Sequence, residues 1–148
     1  MNARTLPCIA ALISACGTAL AQDNPVAVFR QFNLIGLFAA DCGIPAGRIN
    51  LHSIYRVGPA GDLTLTYNHG PGTVPTVYTI LSARLVAPDL LAYREQNRDD
   101  QRILDIEVTR TGSGIRVWSS RRTSGEVLVS NGNFNDGTPS PFQQRCSD

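Results

Sequence analysis

Ile49-Asn50-Leu51-His52-Ser53-Ile54-Tyr55-Arg56-Val57 runs into Gly58-Pro59-Ala60-Gly61, and Asp62-Leu63-Thr64-Leu65-Thr66-Tyr67-Asn68 follows at once. Side chains on a strand alternate between faces, so the first run puts Ile49, Leu51, Ser53, Tyr55 and Val57 on one side. Asn50, His52, Ile54 and Arg56 fall on the other. The second run sets Leu63, Leu65 and Tyr67 against Thr64, Thr66 and Asn68. Between them, Gly and Pro supply the backbone angles of a tight turn. This is the pattern of an antiparallel hairpin with one buried face.

The same punctuation extends in both directions. Leu34 to Asp41 is an apolar run upstream. Downstream come Thr76 to Val86, Leu90 to Gln96, Arg102 to Arg110, Ile115 to Ser120 and Glu126 to Ser130, separated by Gly-, Pro-, Asn- and Asp-bearing turns. Together these make about eight strands rich in Val, Ile, Thr and Tyr. No stretch of useful length repeats at 3.6 residues, so helix is expected to be minor. Short connections imply antiparallel neighbours, and a meander of this length removes its exposed edges by closing on itself. The expected fold is all-β, an antiparallel up-and-down barrel, with a two-sheet β-sandwich as the alternative. The tail 131–148 contains Gly132, Gly137, Pro139 and Pro141 and reads as irregular.

Residues 1–21 read as a secretory signal peptide: Arg4, an uncharged run from Leu6 to Leu20, and Ala19-Leu20-Ala21 as an A-x-A cleavage site. The run is too short and too weakly apolar for a membrane span, and Pro7 and Gly17 argue against a core helix. Ile13-Ser14-Ala15-Cys16 also resembles a bacterial lipobox, which would leave a lipid anchor on Cys16. Either way the expected location is periplasmic or secreted, with the membrane-anchored lipoprotein as the alternative. Residues 22–148 are then one domain, and Cys42 and Cys146 are its two cysteines. An even count in an exported chain points to a disulfide. Two Cys so far apart, without C-x-x-C, match no zinc pattern, and Ala39, Ala40, Asp41 and Gly43 offer no cation to activate a Cys42 thiol.

Without Arg4 the chain has twelve arginines against twelve acidic residues, a net charge of zero with histidines neutral. That gives no electrostatic reason to bind nucleic acid or an anionic membrane. Lysine is absent, which removes Schiff-base chemistry, lysine bases and the P-loop.

Gly36-Leu37-Phe38-Ala39-Ala40-Asp41-Cys42 resembles the opening of small exported alphaproteobacterial proteins of unassigned function. There a Gly-x-Trp-Ala-x-Asp-Cys stretch is matched by a Cys close to the C-terminus, as Cys146 is here. The Gly-x-Trp opening on a first strand is also similar to that of lipocalin-like barrels, with Phe38 standing where Trp would be. The resemblance covers the first strand, the Asp62-to-Gly72 region and the C-terminal Cys. It implies an exported lipocalin-like barrel and brings no enzymatic activity with it.

Chemistry-bearing residues are sparse. His52 shares a face with Asn50 and Arg56 and reads as solvated, and His69 falls at a strand end or in a loop. A Ser-His-Asp set needs no local spacing, but no Gly-x-Ser-x-Gly elbow is present. Asp105 and Glu107 share one strand face, opposite the core positions Leu104, Ile106 and Val108, and so point to water. Asn131 to Gly137 lacks the ligand pattern of a calcium loop. Arg121-Arg122 beside Trp118 reads as a solvated hairpin end rather than a base-stacking platform. The expectation is therefore no enzyme, no metal and no cofactor. Two function classes remain. One is a binding module holding a small apolar or amphipathic ligand, oriented by Ser53, Tyr55, Tyr67 and Tyr93, against the plain alternative of a barrel filled by its own side chains. The other is an envelope protein-interaction or inhibitor domain that presents its Gly/Pro-rich loops 69–75 and 131–141 to a protein partner.

Overall fold

A computed structural model describes residues 24–147, so residues 1–21, expected to be a signal peptide, with Cys8 and Cys16, lie outside the described residues. A short helix, α1 (Pro25–Gln31), precedes ten strands: β1 (Gly36–Ala39), β2 (His52–Val57), β3 (Leu63–Asn68), β4 (Thr76–Ala87), β5 (Leu90–Asn97), β6 (Ile103–Thr111), β7 (Gly114–Arg122), β8 (Val127–Ser130), β9 (Asn133–Phe134) and β10 (Phe142–Arg145). Each of β1 to β7 pairs antiparallel with the next, and β10 joins β7 to β1. The result is a closed eight-stranded antiparallel barrel, the lipocalin-like architecture, rather than a sandwich. Among the described residues no helix is long and apolar enough to cross a membrane.

The inward face follows the pleat. Ser53 and Tyr55 of β2, Leu63 and Leu65 of β3, Leu91, Tyr93, Glu95 and Asn97 of β5, and Ile106 and Val108 of β6 are all buried. Register shifts adjust the curvature. One lies between Ile80 and Ser82 on β4. Another, opposite Glu107 and Val108, leaves Trp118 of β7 as an extra residue, the local bend that a β-bulge produces.

Two expectations are corrected. The tail 131–148, expected to be irregular, supplies the closing strand, because β8 meets β7 only at its far end, at Ser120 and Arg121. Half of one edge of β7 is left open, and residues of the tail fill it. Phe142, Gln143 and Gln144 pair with Arg116, Ile115 and Gly114, while Gln144 and Arg145 pair with Ala39 and Phe38. The tail is thus a barrel strand, and β8 with β9 forms a hairpin beside the wall. A Gln-rich segment has weak strand propensity, and it pairs here because two unfilled edges flank it. The closure is secured covalently, since Cys42 and Cys146 are bonded with Cα atoms 5.4 Å apart.

The second correction concerns Ile49, which is 94% exposed instead of facing inward. Gly47 and Asn50 bridge each other in a tight loop ahead of β2. Buried Asn50 holds that loop: its Oδ1 accepts from the Asp41 amide at 3.0 Å, and its Nδ2 donates to the Asp41 and Ile44 carbonyls at 2.9 and 2.7 Å.

The helix is minor, as expected, but it occupies one end of the barrel. Asn24 caps it by accepting from the Val26 amide at 2.9 Å, and Pro25 begins it, where proline's missing N–H costs nothing. Val26, Val28, Phe29, Phe32 and Leu34 are buried. Phe29 enters the barrel, its ring centroid 5.7 Å from that of Tyr55 and 5.2 Å from that of Tyr93. Arg110 of β6 covers Phe32 at 4.5 Å. The helix therefore plugs the barrel end bounded by the β2–β3, β4–β5 and β6–β7 turns.

Candidate functional site

Phe29, Leu34, Phe38, Tyr55, Leu65, Leu91, Tyr93 and Val108 fill the half of the barrel beneath the helix. The other half is not filled. A partly open cavity of about 240 Å³ lies there, walled by β2 to β7, the β8–β9 hairpin and β10. Its lining is mainly apolar, with Leu51, Leu104, Ile106, Ile115, Val117 and Val129 prominent. That volume sits just under the lower end of ligand pockets, roughly 300 Å³, so an occupant has the bulk of one ring or a short branched chain.

Of the four residues expected to orient a ligand, Ser53, Tyr55 and Tyr67 line this cavity together. They meet because β2 and β3 pair Ser53 with Tyr67 and Tyr55 with Leu65, which carries all three side chains to one face. Tyr93 is not in the lining. Its ring lies edge-on against Phe29, and its hydroxyl stands 3.5 Å from that of Tyr55. Burial raises the pKa of Tyr55, Tyr67 and Tyr93, so all three remain neutral phenols. Tyr78 of β4 adds a fourth aromatic ring near the site, at 5.7 Å and nearly perpendicular to Tyr67.

The cavity also contains a residue that sequence reasoning passed over. Glu95 of β5 is 1% exposed and lines the cavity, and its Oε2 is buried with no hydrogen-bond partner. Burial alone pushes its pKa up to about 8, because a charge loses solvation in a low-dielectric interior. The signal was present: Glu95 follows Tyr93 by two positions on one strand, and so shares its inward face. A buried carboxyl without a partner is rare enough to require an explanation. One basic side chain borders the cavity. Arg116 donates from Nε to Ser140 Oγ at 3.1 Å, and its Nη2 donates to the Gly132 carbonyl.

The remaining candidates lie elsewhere. His52 Nε2 is 3.1 Å from the Ile44 carbonyl, and His69 Nε2 is 3.4 Å from Thr76 Oγ1; both belong to loop scaffolding outside the cavity. Asp105 pairs with Arg94 at 2.7 Å in solvent, and Glu107 accepts from Ser119 Oγ at 2.9 Å. Among the described residues, no group of three or more His, Cys, Asp or Glu is gathered to hold a metal. In the 69–75 loop Val74 is 83% exposed, and in the 131–141 segment Phe134 is 41% exposed while also lining the cavity. Comparison with known proteins finds no matching family model, no matching curated protein and no matching solved structure.

Proposed function

We propose that this chain is an exported binding module that holds a small, mainly apolar ligand inside its barrel. The observation that carries this reading is the contrast between the two halves of the interior. Aromatic side chains fill one half, whereas about 240 Å³ stays empty in the other. Interiors normally pack to crystal-like density, so a half-empty barrel gives up packing energy that an occupant would restore. Ser53, Tyr67 and Ser120, placed around a mainly apolar wall, would set the orientation of a polar end. The resemblance to exported barrels and the Cys42–Cys146 bond fit an extracytoplasmic setting, where a binding protein meets small molecules.

Native mass spectrometry of the protein purified from its own host tests this. The expected result is a retained small molecule that is lost from Ser120→Phe, a substitution that fills the cavity, while the melting temperature is kept. A ligand-free mass for the native chain, together with an unchanged spectrum for Ser120→Phe, overturns the reading.

A second reading rests on Ile49 and Val74, apolar residues 94% and 83% exposed on loops that approach each other where Gly70 packs on Ala46 and Gly47. Here that loop pair contacts an envelope protein. Partner capture that survives Ile49→Ser together with Val74→Ser refutes it.

A further inference from the structure

We propose that the ligand is a small apolar amine, bound as its ammonium ion with its nitrogen on Glu95 and its apolar body in the remainder of the cavity. This rests on the binding-module reading and names the class of molecule that reading leaves open.

An ionisable side chain on an inward strand position is among the most expensive groups to bury. A Gln of the same shape would fill the space without that penalty. The structure provides no internal compensation, since Oε2 has no hydrogen-bond partner. The groups facing Glu95 from the surrounding elements are the neutral phenols Tyr55 on β2, Tyr67 on β3 and Tyr93 on β5 itself, and Tyr78 on β4 lines the same cavity. On β6 the neighbours are Leu104 and Ile106, and on β10 Gln143. The guanidinium of Arg116 on β7 is held at the wall by Ser140 and Gly132 and contributes nothing to the displacement of the carboxyl, which has burial as its sole cause. Arg122 on β7 pairs with Glu126 through Nη1, and its buried Nε has no partner, but its side chain is not part of the cavity lining. A carboxyl oxygen facing a cavity whose one bordering cation, Arg116, is already engaged is the complement of a cation brought by the ligand.

The aromatic lining points the same way. Tyr67 and Tyr78 present rings to the space beside Glu95, and a cation gains from both a carboxylate and π faces, most of all where water is excluded. A neutral alcohol gains from neither to the same degree, and a carboxylate ligand could pair with Glu95 only while that carboxyl keeps its proton. The cavity size limits the amine to a single ring or a short branched chain.

This assignment has a proton balance. Glu95 is protonated in the empty barrel at neutral pH, because its pKa is raised to about 8. When the ammonium ion docks, the carboxyl loses its proton to solvent and the ion pair forms. Binding then releases up to one proton, and affinity rises by up to about tenfold per pH unit below the Glu95 titration. Acidification releases the ligand.

The test compares three probes that each carry one phenyl ring on a two-carbon chain: 2-phenylethylamine, 2-phenylethanol and 3-phenylpropanoate. Calorimetry on the oxidised full-length mature protein at about pH 6, 7 and 8, in buffers of different ionisation enthalpy, reads affinity and proton release together. The expected result is amine binding at least about tenfold tighter than the alcohol at pH 8, rising from pH 6 to 8, with release of close to one proton at pH 6 and about half a proton at pH 8. Glu95→Gln should flatten that pH profile and reduce amine affinity to that of the alcohol, whose own affinity is unchanged. Equal binding of amine and alcohol, or an amine affinity that falls with pH, overturns the amine assignment and leaves the apolar-ligand reading standing. Preference for the carboxylate overturns it in favour of Arg116. Failure of all three probes overturns both readings. The proton-release measurement on the native chain decides the matter even if Glu95→Gln does not fold.

Discussion

Replacing Glu95 by Gln should change how stability depends on pH. Glu95 titrates near 8 in the folded chain against an ordinary value of 4.5. Between these limits the folded protein keeps a proton that the unfolded chain has released. Raising the pH through that window therefore favours the unfolded state, at up to about 1.4 kcal/mol per pH unit. The contribution of this site is most favourable below about pH 4.5, declines through the window and levels off above about pH 8. The whole span corresponds to a loss on the order of 3–5 kcal/mol, a large share of the stability of a small domain. The amide introduced by Glu95→Gln carries no charge, so the variant should show none of this decline. At about pH 9 it should exceed the native chain by several kcal/mol, and at about pH 5 it should match it or fall about 1 kcal/mol short. The assay is urea denaturation of the oxidised protein at about pH 5, 7 and 9, followed by the fluorescence of the single tryptophan, Trp118. Asp100 and Asp136 are held below the ordinary carboxylate range by Arg102 and Thr138. Their stabilisation is lost only as the pH falls through still lower values, outside the measured range. Parallel pH profiles for the two proteins would refute the buried, unpaired state of Glu95.

Phe29→Ala should destabilise the protein by about 3–5 kcal/mol and join the plugged half of the barrel to the cavity, read as a lower melting temperature and faster exchange of probes such as indole. Breaking the Cys42–Cys146 bond, by reduction or by Cys146→Ser, should lower stability by about 2–5 kcal/mol and raise hydrogen exchange first in β10 and β1, which it joins. Gly114→Ala drives a Cβ into the Phe142 ring and to 2.7 Å from the Gln143 carbonyl oxygen, so it should cost about 1–3 kcal/mol and loosen the β7–β10 seam, measurable by exchange at Gln143 and Gln144. By contrast Asp105→Asn, which removes a bond to Arg94 between side chains 46% and 47% exposed, should shift stability by less than about 1 kcal/mol.

The hairpin around Gly58 to Gly61, the inward set Ser53, Tyr55, Leu63 and Leu65, and the pairing of Cys42 with Cys146 were all legible in the chain. Each depends on local alternation, turn chemistry or a count of cysteines. Ser53, Tyr55 and Tyr67 were legible as inward residues for the same reason. Three features were not. Phe142 to Arg145 lacks the β-branched residues that mark a strand, and it pairs only because β1 and β7 leave edges open on both sides. The helix α1 has seven residues, too few turns to show a period. Tyr93 is inward as expected, yet Phe29, sixty-four positions earlier, covers its ring and removes it from the cavity.

The sequence by itself determined a helix-poor antiparallel barrel and the disulfide that joins its ends, because pleat, turn and thiol count act over a few neighbouring residues or through a covalent bond. Tertiary structure alone decided which segment closes the ring, how much of the interior is left empty, and that Glu95 has no partner there. Edge pairing, cavity volume and desolvation all depend on groups distant in the chain. The alternation placed Glu95 inside; only the assembled barrel shows that, among the described residues, its buried Oε2 has no hydrogen-bond partner.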